Sequence, residues 1–120
     1  MNKHLLLVDD EIAIRELLTQ YLGRAGYRVT AVGTAQEAER VIAEDPPDLV
    51  MTDLQLEESD GLMMIEKMKQ TLPTTPVILL TGVLFDPEVI EGTISKKVSS
   101  YLPKTTPWVK IKAEIQRLLK

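Results

Sequence analysis

The chain has 120 residues, 44% of them apolar and 27% charged, a formal net charge of −4 and no cysteine. That size supports one domain, residues 1–120, with a single core. The acidic balance argues against binding nucleic acid directly, and the lack of cysteine excludes disulfides and thiolate metal sites.

Short apolar runs alternate with segments of helical period, which predicts βαβ units and a parallel sheet. Strand one is expected at His4–Val8, followed by a helix over Glu11–Ala25 with Ile14, Leu18, Leu22 and Ala25 on its inner face. Gly26 is a candidate C-cap for that helix. Strand two spans Arg28–Val32. Thr34 opens the second helix, with Glu37 three residues on as the partner of a capping box, and Asp45-Pro46-Pro47-Asp48 stops it. Strand three is Leu49–Thr52, and a loop over Leu54–Ser59 leads to a third helix with a stripe of Leu62, Ile65, Met68 and Leu72. Pro73 ends that helix and Pro76 introduces strand four, Val77–Leu80. Asp86-Pro87-Glu88 has the form of a helix start, but Gly92 and several β-branched residues predict a short or mobile fourth helix. Strand five is placed at Val98–Leu102. Thr106-Pro107 opens a last helix that turns Trp108, Ile111, Ile115 and Leu118 inward.

The C-terminal ends of parallel strands gather on one edge of a sheet. Asp9 and Asp10, Asp53, Thr81 and Lys104 each lie just past one of these runs. Adjacent carboxylates repel, and a hard cation relieves the repulsion. Mg²⁺ takes oxygen ligands, keeps several waters and needs only one or two carboxylates. Asp10 and Asp53 are the expected direct ligands, with Asp9 acting through a metal-bound water and the Gln55 backbone carbonyl as a further oxygen. Taken alone, Asp9-Asp10-Glu11 fits helix N-capping as well as metal binding, and Asp53 tips the balance toward metal. Lys104 alone reads as a solvated lysine and Thr81 as a strand-end hydroxyl. Together they supply what phosphoryl transfer to a carboxylate requires: an ammonium to neutralise the phosphoryl oxygens and a hydroxyl to bond one of them. Asp53 would be the nucleophile, forming an acyl phosphate.

Four motifs in order, Leu7-Val8-Asp9-Asp10-Glu11, Asp53 with Asp60-Gly61, Leu80-Thr81-Gly82 and Tyr101-Leu102-Pro103-Lys104, resemble the receiver domain of bacterial two-component response regulators over essentially the whole chain. The resemblance implies an α/β, flavodoxin-like, doubly wound sheet of five parallel strands in the order 2-1-3-4-5 with five flanking helices. It implies Mg²⁺-dependent phosphorylation of Asp53 by the phosphohistidine of a sensor histidine kinase or a histidine phosphotransfer protein. It also implies phosphoryl contacts from Thr81 and Lys104, slow self-dephosphorylation rather than ordinary enzymatic turnover, and a switch in which Thr81 moves and the ring of Tyr101 turns. The face formed by helix four, strand five and helix five would then alter a contact with an output partner or output domain. Without the resemblance, Tyr101 reads as a half-buried strand aromatic. Gln55 and Val83 occupy positions that influence phosphate lifetime in the family.

Two positions depart from the pattern. Thr105 follows Lys104 where the family has proline after a cis peptide. A cis bond before threonine would cost about 2.5–4 kcal/mol, so a trans bond is expected. Glu57, where proline is common, and Glu58 make the loop after Asp53 more acidic; both read best as solvated surface acids.

His4 starts strand one at the opposite edge and reads as a strand-end residue, not a phosphodonor. Met51, Met63, Met64 and Met68 read as packing residues, or partly exposed ones on the third helix, rather than a cofactor box. The alternative functions are a pseudo-receiver that binds a partner without phosphorylation, and a flavodoxin-like cofactor binder. The latter needs a phosphate-cradling loop after strand one, where this chain is anionic. A cytoplasmic setting is expected, with no membrane span or signal peptide. A homodimer through the helix-four face and excision from a longer protein both fit the pattern.

Overall fold

In the computed structural model, the description covers residues 2–53, 55–56, 59–81 and 98–119, without the side chains of residues 55–56, 59–62 and 81. The expected fourth helix at Asp86-Pro87-Glu88, with Gly92 and Val83, lies outside the described residues, as do Glu57 and Glu58. Four helices are present among the described residues.

The elements in chain order are β1 (His4–Val8), α1 (Ile12–Arg24), β2 (Arg28–Val32), α2 (Ala35–Glu44), β3 (Leu49–Thr52), β4 (Gln55–Leu56), β5 (Ser59–Asp60), α3 (Gly61–Thr71), β6 (Val77–Thr81), β7 (Ser100–Pro103) and α4 (Trp108–Leu118). The five longer strands form one parallel sheet in the order β2-β1-β3-β6-β7, which is 2-1-3-4-5 counted along the chain. Helices cover both faces. Leu6, Val8, Val50, Val77 and Leu79 point to one side, where Ala38 and Ile42 of α2 and Met64, Ile65 and Met68 of α3 bury them. Leu5, Leu7, Leu49, Met51, Ile78 and Leu80 point to the other, against Leu18 and Leu22 of α1 and Ile111 and Ile115 of α4. This alternation is the two-residue period of a strand with helices on both faces, and it explains why the strands read as continuous apolar runs. Each such side chain, once fully buried, contributes on the order of 2 kcal/mol.

The local signals act as chemistry dictates. Gly26 takes φ +102°, the left-handed region that favours glycine. Its N–H bonds Gly23 O at 3.1 Å and Tyr27 N–H bonds Leu22 O at 3.2 Å, a Schellman ending with Tyr27 and Leu22 in the same apolar cluster. Ala25, expected inside, is instead exposed, because it is the C-cap where the chain leaves the helix. Thr34 Oγ1 accepts the Glu37 N–H and donates to Glu37 Oε1, both at 3.2 Å.

Helix one is one residue shorter at each end than expected, with Glu11 and Ala25 as its caps, and the later strands and the loop after Asp53 also differ. The last strand of the sheet is Ser100–Pro103, two residues later at its start than Val98. Ser99 makes the entry contact: its N–H bonds Val77 O at 2.8 Å and its Oγ accepts the Val77 N–H at 3.3 Å. Val98 is apolar because it packs on the core, not because it pairs in the ladder. Strand four gains Thr81, which pairs with Pro103. The loop after Asp53 contains a short antiparallel ladder, Gln55 opposite Asp60 and Leu56 opposite Ser59.

Candidate functional site

The sheet delivers the site. Asp9 directly follows β1, Asp53 follows β3, Thr81 ends β6 and Lys104 follows β7, four neighbouring strands ending on one edge. Backbone bonds extend the ladder into the acids: Asp9 N–H to Val32 O at 3.0 Å and Asp53 N–H to Val8 O at 3.2 Å. Thr52, fully buried, donates its hydroxyl to the Asp53 carbonyl at 3.0 Å.

Asp9 and Asp53 are 1% and 6% exposed, so their carboxylates are out of bulk water. One oxygen from each of Asp9, Asp10 and Asp53 lies within 4.8 Å of the others. Lys104 Nζ sits among them, 3.0 Å from Asp9 Oδ2, 2.9 Å from Asp53 Oδ2 and 2.7 Å from Glu11 Oε1. Three ammonium hydrogens meet three carboxylates, so the lysine is aimed by its ion pairs. The Lys104-Thr105 bond is trans, as Thr105 leads one to expect.

The electrostatics follow from this packing. Burial raises the pKa of Asp9, opposed by the hydrogen bond from Glu11 N–H at 2.9 Å and by Lys104. Burial pulls the Lys104 ammonium the other way, but hydrogen bonds to Glu11, Asp53 and Asp9 outweigh it and hold its pKa above the ordinary lysine value. The donor set is all oxygen and all anionic, clustered closely enough for one ion. It fits a hard divalent cation and offers nothing to a soft one.

Of the residues singled out from sequence, Asp9, Asp10, Asp53 and Lys104 come together. Thr81 reaches the same edge by its backbone, next to the strand that carries Lys104. Gln55 lies two residues past Asp53, at the start of β4. Tyr101 is half-buried in β7 against the α2–α3 side of the core. His4 is buried at the far edge, with Nε2 2.8 Å from Thr30 Oγ1. Met51, Met64 and Met68 are buried packing residues, whereas Met63 is exposed.

Two partners were not legible. Glu11 stands at the N-cap of α1 yet makes no side-chain cap bond; its carboxylate turns to Lys104. The N-capping and metal readings of the acidic run are therefore divided between residues, with Asp9 accepting the turn's N–H while also facing the lysine. Arg15 Nη1 donates to the Asp9 carbonyl at 2.7 Å, and no spacing rule marks an arginine four residues into a helix as a loop ligand.

Residues 5–116 match the response regulator receiver domain family. The chain belongs to that family. It is 36% identical over 101 residues to the transcriptional regulatory protein GlrR of Escherichia coli K12, a match covering 84% of this chain and 22% of GlrR. The chain spans about a third or less of the length of the first curated relatives it matches. Among solved structures, the receiver domain resembles the response regulator protein TrrA of Thermotoga maritima in complex with Mg²⁺-BeF, at TM-score 0.86 and 27% identity over 98% of this chain and 99% of that one. The signal receiver domain of a Vibrio parahaemolyticus LuxO repressor protein superimposes at TM-score 0.90, with 24% identity over 99% of this chain and 91% of that one, a likeness of fold alone.

Proposed function

We propose that this receiver domain is a phosphorylation-driven switch. Asp53 accepts a phosphoryl group from the phosphohistidine of a sensor histidine kinase or a histidine phosphotransfer protein in the cytoplasm. The observation that carries the reading is the convergence of Asp9, Asp10 and Asp53 on one point with Lys104 Nζ between Asp9 and Asp53. TrrA, similar in fold and 27% identical, was solved in complex with Mg²⁺-BeF, which supports reading the acidic cluster as a Mg²⁺ site.

Asp10 and Asp53 would hold Mg²⁺ directly, Asp9 through water, and the Gln55 carbonyl would add an oxygen. When bound, Mg²⁺ supplies positive charge beside the phosphoryl oxygens and aligns them with the acceptor. An Asp53 Oδ attacks phosphorus, the P–N bond to the donor imidazole breaks, and the imidazole leaves with the electron pair and takes a proton. Lys104 then exchanges its bond to the Asp53 carboxylate for one to a phosphoryl oxygen. The Thr81 hydroxyl offers a second bond. Its movement frees space for the ring of Tyr101, so a local charge biases a two-state surface around strand β7 and the last helix. The product is an acyl phosphate on the protein itself, so the chemistry is stoichiometric rather than that of a multiple-turnover enzyme. The output partner, domain or second copy of the chain would read that surface.

Incubation with acetyl phosphate and Mg²⁺ should add one acid-labile phosphate to the unaltered chain and none to Asp53→Asn, read by intact mass. Equal uptake by Asp53→Asn would refute the assignment. No uptake and no Mg²⁺ binding by the unaltered chain would favour the pseudo-receiver reading, an interaction module that keeps the fold without the switch.

A further inference from the structure

The Asp9 main chain is held by more than the strand ladder. Its N–H is tied to Val32 O, and its side chain takes the Glu11 N–H and Lys104. Its carbonyl, which begins the peptide leading to Asp10, is bonded by Arg15 from the first turns of α1. Long helical side chains lean toward the N-terminus of their helix, which brings the Arg15 guanidinium back over the β1–α1 loop.

There it lies against Gly33, just past β2. A Cβ at Gly33 would stand 2.7 Å from Arg15 Nη1, closer than real Cβ contacts come, and a tight 3.3 Å from Arg15 Cζ. The three nearest atoms to that position all belong to Arg15. Gly33 does not have a positive φ; among the described glycines only Gly26 does. A left-handed backbone therefore does not call for glycine at Gly33, and what the missing side chain provides is room for the guanidinium.

We propose that Arg15 and Gly33 act as a positioning pair for the acidic loop: the bare backbone at Gly33 lets the Arg15 guanidinium clamp the Asp9 carbonyl, and the clamp fixes how Asp9 and Asp10 face Asp53. Neither residue is among those that would hold the metal or contact the phosphoryl group. The effect on Mg²⁺ rests on the metal-site reading above, whereas the clamp itself does not. Groups that orient metal ligands typically change affinity by about tenfold or more when lost.

The two residues also make a self-checking test. In Gly33→Ala the flexible end of Arg15 can move aside at little cost to folding, but it leaves the carbonyl. Gly33→Ala should weaken Mg²⁺ binding, measured by titration calorimetry on the full chain, by about tenfold, as should Arg15→Ala. The double variant should be no worse than Arg15→Ala, because the conflict needs the guanidinium. Without metal, amide exchange at Glu11, whose N–H rests on Asp9 Oδ1, should quicken several-fold in each single variant and no further in the double. Additive losses, or unchanged exchange at Glu11 in Arg15→Ala, would overturn the proposal. If the unaltered chain bound no Mg²⁺, the metal-site reading would fall, and the exchange measurement would still decide the clamp.

Discussion

Lys104 stands among carboxylates that burial leaves with little water to answer them. Two nearly buried carboxylates, Asp9 and Asp53, share its ammonium with the exposed Glu11. Removing one partner of a buried ion pair leaves uncompensated charge, a loss of roughly 3–5 kcal/mol. Lys104→Ala is therefore expected to lower stability in EDTA by roughly 3 kcal/mol, with Mg²⁺ restoring part of the loss because it answers the same carboxylates. Urea unfolding with and without Mg²⁺ measures both. Equal stability in EDTA would show that the acids are solvated and the pairing incidental. The four charged site residues were readable because strand-end position and residue type coincide. Glu11 was assigned to the right run but not to its partner, since the ion pair joins residues 93 positions apart. Arg15 gave no signal because its ligand is a backbone atom.

At the scale of elements, the ends of strands and helices divide the labour. C-terminal strand ends carry the acidic cluster and Lys104, while the opposite edge carries caps and closures such as Gly26 and the buried His4. Gly26→Ala would hold an L side chain at φ +102°, with open space around its Cβ, so the cost is conformational alone. A loss of about 1 kcal/mol in urea unfolding is expected, with phosphate uptake by Asp53 unchanged, because the cap lies at the other end of β2 from the site. A larger effect on uptake than on stability would mean that the two edges are coupled. Strands one to three follow the sequence-predicted bounds, since each is a largely apolar or β-branched run closed by Asp9, Gly33 or Asp53. The start of β7 slipped by two residues because burial and ladder pairing part company at Val98 and Ser99. The β4–β5 ladder, two residues a side, is too short to show any period.

Across the whole molecule, one sheet separates two apolar layers, and the same alternation that fills both layers brings Asp9, Asp53, Thr81 and Lys104 to one edge. That is why the receiver architecture is legible from short runs and their terminal residues, while the side-chain network over the edge joins residues that no local pattern pairs. The proposed switch requires a single cation joining the ends of β1 and β3. The most direct measurement is a crystal structure of the chain soaked in Mn²⁺, a stand-in visible by its anomalous scattering. An anomalous peak about 2.2 Å from oxygens of both Asp10 and Asp53 is the predicted result, allowing slightly more than the Mg²⁺–oxygen distance. A peak touching only one of the two acids, or none at this edge at saturating Mn²⁺, would contradict it.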